Sequence, residues 1–346
     1  MTRNRFTSVI HLFISTLFIS TLLLISPPPL MSEESNQGNQ DKVGDNISKN
    51  KTAAERGDAA AQYFLAYCYE FGQGVEENQE LAKMWFNKAL ENEHPEAMAT
   101  QAMRLEDSGD HKNAFIYMEK AANKNLMEAQ FYLAFYYIGG TGVNKSMFEA
   151  RNWLKKAAMQ GHADSQYCLG NMYLNGHDVK RDLGKAIKWL MLAANQDNGQ
   201  AQYELGLAYM HKATDKYVDG NGALEQAHNW FSGGRDLPIP NTAEDLALFK
   251  EANKWFEKAS YKNDIRAQFM HASLLATRNE IKTAYAWYFI VSQNHVNNQK
   301  DLIEKEAFRQ AKYLMKELKA KMTDKEFKQA MRLFTEIKNN IVIDTN

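Results

Sequence analysis

Residues 129–158 read AQFYLAFYYIGGTGVNKSMFEARNWLKKAA, and residues 165–194 read SQYCLGNMYLNGHDVKRDLGKAIKWLMLAA. Laid over each other, the two share a small residue followed by glutamine and an aromatic, a glycine-containing turn ending in valine, and an alanine, tryptophan, alanine series near the end. Working outward, the same series recurs. Trp85, Trp153, Trp189, Trp255 and Trp287 each have alanine three residues earlier, and Tyr117 with Ala114 fills the missing slot. Four residues after each ring stands Ala89, Ala121, Ala157, Ala193 or Ala259, with Val291 in the last copy. Steps between successive rings are 32, 36, 36, 66 and 32 residues, and the 66 equals one period of 36 plus about 30 inserted residues.

A second set keeps the same register. Ala61-Gln62-Tyr63, Ala129-Gln130-Phe131, Ser165-Gln166-Tyr167, Ala201-Gln202-Tyr203 and Ala267-Gln268-Phe269 share one pattern, with Ala97-Met98-Ala99 as its degenerate copy. Five residues after the small residue comes another: Ala66, Ala102, Ala134, Gly170, Gly206 or Ala272. Offsets of three and four place residues on one helix face. Each repeat therefore reads as two helices, zipped by small side chains and wedged by a ring. Glycine-rich turns (Gly72-Gln73-Gly74-Val75, Gly139-Gly140-Thr141-Gly142-Val143, Gly176-His177-Asp178-Val179) separate the helices, because glycine ends a helix at little conformational cost. The second and sixth copies lack this turn, so their loops should be about four residues shorter. One helix pair cannot bury its apolar face alone, so neighbours must stack.

These residues resemble the Sel-1-like repeat family, a branch of the tetratricopeptide-type α-solenoids, over about residues 53–292. The resemblance implies an all-α, right-handed α-solenoid of about six helix–turn–helix repeats, whose concave face binds a partner protein or peptide. It also implies a helical ending. Tyr285-Ala286-Trp287-Tyr288 precedes a long helix, and Thr323 is placed to cap a final one, so residues 293–346 read as a C-terminal helical cap. The six rings, Trp85, Tyr117, Trp153, Trp189, Trp255 and Trp287, are expected to form the structural core. On that reading Trp189→Ala should lower the melting temperature far more than Lys185→Ala.

The segments before the repeats differ in kind. Arg3 and Arg5 precede a 17-residue apolar run, Val9 to Ile25, followed by three prolines. Residues 1–30 read as a signal peptide or an N-terminal membrane anchor, which would place the remainder in the periplasm, in the medium, or tethered outside. Residues 31–52 are polar and free of aromatics and read as a flexible linker. They contain two glycosylation patterns, at Asn46 and Asn50, which matter only where that machinery exists. An insertion, about residues 211–244, interrupts the fifth copy. Its Tyr217, Trp230, Phe231 and Arg235 combine aromatics with arginine and are the candidate partner-binding residues; a packed extra helix with an exposed loop is the plainer alternative.

Composition narrows the chemistry. The 346 residues are 45% hydrophobic and carry 41 basic against 42 acidic side chains. A mean hydropathy of -0.54 excludes a polytopic membrane protein. The net charge of -1, with no basic stripe, argues against nucleic acid as a partner. Cys68 and Cys168 read as buried thiols too far apart for a disulfide. The segment Gly139 to Ser146 lacks the glycine before lysine that a phosphate-binding loop needs, and it follows a helix rather than a strand. His94 and His162 share one repeat slot, at the entrance of a first helix. No zinc-ligand spacing and no nucleophile elbow occurs, and Glu76-Glu77 lies in a turn. No catalytic residue, cofactor or metal is expected, and the reading is a non-catalytic, protein-binding scaffold. The alternatives are an exported hydrolase acting on cell-wall or antibiotic substrates, and an envelope component binding polysaccharide.

Overall fold

The computed structural model describes residues 38–214, 242–293 and 302–341. Among them all regular structure is helical, in fifteen elements: α1 (Gly38–Glu55), α2 (Ala59–Phe71), α3 (Gln79–Glu91), α4 (Pro95–Asp107), α5 (His111–Asn123), α6 (Met127–Gly139), α7 (Met147–Met159), α8 (Ala163–Asn175), α9 (Leu183–Asn195), α10 (Gly199–Thr214), α11 (Ala243–Tyr261), α12 (Ile265–Thr277), α13 (Ile281–Gln293), α14 (Leu302–Ala320) and α15 (Asp324–Asn340). Contacts divide the chain into two units, Met1–Gln160 and Gly161–Asn346. In the first, α1 packs on α2, and α2–α3, α4–α5 and α6–α7 are paired. In the second, α8–α9, α10–α11 and α12–α13 are paired, and α14 and α15 both pack on α13.

Local chemistry sets the helix boundaries. Second helices begin at side-chain caps: Asn78, Asp110, Ser146, Asp182 and Thr242 each accept from a backbone N–H three residues on. The glycine turns end α2, α6 and α8 in the left-handed conformation, at Gly72, Gly140 and Gly176. Where that turn is missing the connections are short, 108–110 and 278–280 against 72–78, 140–146 and 176–182, as expected. Thr323 caps α15 through a reciprocal capping box with Glu326. Both cysteines are free; Cys68 is buried, while Cys168 is only half-buried.

The recurring glutamine has a structural task that its spacing alone did not disclose. It is buried in each copy that carries it. Gln62 Nε2 donates to the Ala54 carbonyl (2.9 Å), Gln130 to Ala122 (3.2 Å), Gln202 to Ala194 (3.3 Å) and Gln268 to Ser260 (3.2 Å). Each thus gives a second donor to a carbonyl in the last turn of the preceding helix, which already accepts from a backbone N–H of the turn. The cap residue of the following second helix closes the bridge: Asn92 donates to Gln62, Gln160 to Gln130 and Gln196 to Gln166, each at 2.8 Å. Where that cap is lysine, the bridge becomes ionic, Lys124 with Glu93 (2.6 Å) and Lys262 with Asp197. Glu93 and Asp197 both hold positive φ in the inter-repeat turn.

Two expectations need correction. The polar stretch 31–52 is helical from residue 38 onward, because Ile47 and Ala54 bury against Phe64, Leu65 and Trp85. Continuity with Ala53 and Ala54, at the edge of that core, lets α1 serve as a half-repeat ahead of α2. The six rings are also unequal. Trp85, Trp153, Trp255 and Trp287 are buried, but Tyr117 and Trp189 are half-exposed. The deepest position is instead the next residue: Phe86, Met118, Leu154, Leu190, Phe256 and Tyr288 are all buried, none more than 4% exposed. Residues 1–30 lie outside the described residues, and no helix among the described ones is long and apolar enough to cross a membrane.

Candidate functional site

The rings that mark the repeat are covered on their outer side. A lysine one turn further along the same helix lies over the ring in four copies: Lys88 over Trp85 (4.5 Å), Lys120 over Tyr117 (5.4 Å), Lys156 over Trp153 (3.5 Å) and Lys258 over Trp255 (4.4 Å). The aliphatic stem shields apolar area while the ammonium group meets the electron-rich face and remains in water. This pairing was legible as a lysine three residues after the ring. The fourth copy breaks it, with Leu192 in the lysine slot, 42% exposed, beside the half-exposed Trp189. The six rings therefore act in packing.

Tyr217, Trp230, Phe231 and Arg235 fall outside the described residues. The helices flanking them are well anchored. Met210 and Ala213 at the end of α10 and Phe249 of α11 belong to one core cluster, and Thr242 caps α11. Most of the insertion expected at about 211–244, residues 215–241, lies outside the described residues.

The second unit also buries ionisable groups. Glu204 on α10 is 3% exposed, and its Oε2 has no hydrogen-bond partner among the described residues. Burial pushes its carboxyl up to about 7, against the opposing pull of Arg266. Arg266 is itself held by Asp264 (2.6 Å) and lies 4.3 Å from the Tyr203 ring. A neutral carboxylic acid at this depth costs far less than a carboxylate.

The second unit has a half-open cleft. It lies among α11, α12, α13 and α15 and has a volume of about 450 Å³. Trp287 and Tyr261, ring centroids 5.3 Å apart and edge to face, contribute aromatic wall. Glu257, Glu280 and Glu336 bring three carboxylates against one guanidinium, Arg278, which already pairs with Glu280 (3.4 Å). His271 lines the same cleft although it is only 4% exposed. Its Nδ1 lies 2.9 Å from Asn253 Oδ1, and the ring packs edge to face against Trp287, centroids 5.4 Å apart. Burial, with Arg278 adding to it, lowers the imidazole to about 4, so the ring is neutral near pH 7. None of these residues belonged to the sites expected from sequence. Their signal is dispersed over four helices, and only Trp287 had been singled out, as core. Among the described residues no group of three or more histidine, cysteine or carboxylate side chains could hold a metal ion.

Comparison with known proteins accords with this architecture. The Sel1 repeat model matches residues 59–94, 107–126, 128–162, 163–198, 199–232 and 249–264. No curated protein matches the chain. Among solved structures, c5321, a protective antigen present in uropathogenic Escherichia coli strains and displaying an SLR fold, is 22% identical over 86% of this chain and 72% of its own, with a TM-score of 0.44. A Sel1 repeat protein from Oxalobacter formigenes is 32% identical over 35% of this chain and 94% of its own, with a TM-score of 0.33. A sel1 repeat protein from Klebsiella pneumoniae subsp. pneumoniae is 20% identical over 62% of this chain and 91% of its own, with a TM-score of 0.34. With its six matched segments covering just over half the sequence, and each described helix pair built on the same buried positions, the chain belongs to the Sel1 repeat family.

Proposed function

We propose that this protein is a non-catalytic scaffold that binds a partner protein or peptide, working outside the cytoplasm behind the leader or anchor of residues 1–30. The observation that carries the reading is where the recurring residues go. The glutamines Gln62, Gln130, Gln166, Gln202 and Gln268 and the anchors from Phe86 to Tyr288 are buried between helices. Recurrent chemistry is thus committed to stacking, and the exposed positions, which differ from copy to copy, are left for recognition. Stacked two-helix repeats generally present an extended surface suited to polypeptides. Export rests on the basic, apolar and proline order of residues 3–29.

A photocrosslinking amino acid placed in the full chain at the exposed Phe71, and separately at Phe148, tests the binding role in the native cell. Discrete polypeptide adducts, suppressed by excess unlabelled chain, are expected. Adducts to polysaccharide alone, or hydrolysis of a cell-wall substrate by the purified chain, would overturn it. An alkaline phosphatase reporter fused after residue 37 should be active, as that enzyme requires export; an inactive reporter would remove the proposed location.

A further inference from the structure

We propose that the outward face of α14 is a docking surface for an anionic lipid bilayer. This goes beyond the scaffold reading and stands independently of it. Helix α14 carries five basic residues, Lys305, Arg309, Lys312, Lys316 and Lys319, and every one is exposed. Successive steps of four, three, four and three residues keep all five on one row of the helix. The row faces away from the packed side, where Ala307, Ala311 and Leu318 are buried. At about 1.5 Å of rise per residue it runs roughly 20 Å. The expectation of no basic stripe is thereby corrected: the five cations fall into line only because Leu302–Ala320 is one unbroken helix.

Little in the protein neutralises that row. The acids of α14, Glu304, Glu306 and Glu317, lie off it; Glu306 pairs with Arg309 (2.5 Å), and Glu317 accepts from the Tyr313 hydroxyl (2.8 Å). Lys312, Lys316 and Lys319 have no ion pair among the described residues, and Lys312 and Lys319 extend over the Phe308 and Phe327 rings, at 4.2 and 4.5 Å. Residues 302–340 hold ten basic against six acidic side chains, in a chain with 41 against 42, so cationic charge is gathered here. Helices α3 and α11 instead mix the two signs along their exposed faces.

The form of the charge selects the partner. A polypeptide partner is held by apolar or aromatic anchors that fill pockets, and the row contains cations alone. A planar anionic surface asks only for accessible positive charge, and each Lys or Arg close to it strengthens attachment about fivefold. Where the apolar run Val9 to Ile25 is retained as an anchor, the row would lay α14 against the surface beside it.

The test acetylates the lysines of the full chain on vesicles of phosphatidylcholine alone and of equimolar phosphatidylcholine and phosphatidylglycerol, with mass spectrometry as the readout. Because the apolar run can hold the chain on either vesicle, the comparison isolates the charge. Lys312, Lys316 and Lys319 should react about fivefold more slowly on the anionic vesicles, the exposed Lys83 and Lys155 equally on both, and molar salt should erase the difference. The triple variant Lys312→Gln, Lys316→Gln, Lys319→Gln changes only exposed side chains, so it should stay folded while protection of Lys305 disappears. Equal labelling on the two vesicles, equal protection of Lys83 and Lys155, or protection of Lys305 that survives in the folded variant would each overturn the inference. Protection by dissolved polyglutamate or DNA, with none on anionic vesicles, would assign the row to a polymeric anion and overturn it as well.

Discussion

Two adjacent positions on the second helix of each repeat divide the packing between them. The ring sits at the margin, often beneath a lysine, and the residue after it enters the interior. At the fourth copy Trp189 is half-exposed while Leu190 is fully buried. Leu190→Ala should cost about 3 kcal/mol, within the usual range for an emptied core site. Trp189→Ala should cost less than that, and Lys185→Ala, which loses an exposed pair with Asp182 and a contact over the Tyr173 ring (5.3 Å), less still. Thermal melts of the three variants check the order. The small positions are equally specific: a Cβ added at Gly206 would stand 2.6 Å from the Phe256 ring, and one at Gly170 the same distance from Leu190 Cγ. The stiff ring cannot swing away as an alkyl tip can. Gly206→Ala should therefore destabilise by about 1–3 kcal/mol in urea unfolding, despite the higher helix propensity of alanine.

At the scale of the helix pair, the buried Glu204 on α10 gives the second unit a pH signature. Its folded value, about 7, lies above the ordinary 4.5, so between those values the folded state holds more proton than the unfolded state. The stability that the neutral acid contributes is fully present below about 4.5 and is lost as pH rises through about 7. His271 works in the opposite sense. Its folded value, about 4, lies below 6.5, so its contribution grows as pH rises between them. Glu204→Gln should therefore match the wild type near pH 4.5 and exceed it by about 3 kcal/mol at pH 8, with the steepest divergence around pH 5–7. Denaturant melts across that range measure it; parallel curves would show that the carboxyl is not held neutral.

This scale also marks how far the sequence could be read. Helix pairs, their order, the two short connections and the Thr323 cap were all legible, because spacing and capping chemistry are local. Helix α1 was not: its residues are polar, and only burial of Ile47 and Ala54 against the next helix gives it a reason to form. Nor was the glutamine bridge, whose partners lie one helix back and one helix on. The cleft was illegible for the same reason, since Asn253, His271, Trp287 and Glu336 come together only when the C-terminal helix docks on the last repeat.

Over the whole chain the account makes stability a sum of near-neighbour terms, as expected for repeats that each contact only the neighbouring repeat. Hydrogen exchange followed by mass spectrometry on the wild type and on Phe256→Ala tests this directly. Phe256 is fully buried, between α10 and the core formed with α12 and α13. Under native conditions the substitution should release protection in α10 through α13 and leave α2 through α5 at wild-type levels. Uniform loss of protection along the entire chain would contradict the account, because it would mean one indivisible core in place of stacked helix pairs.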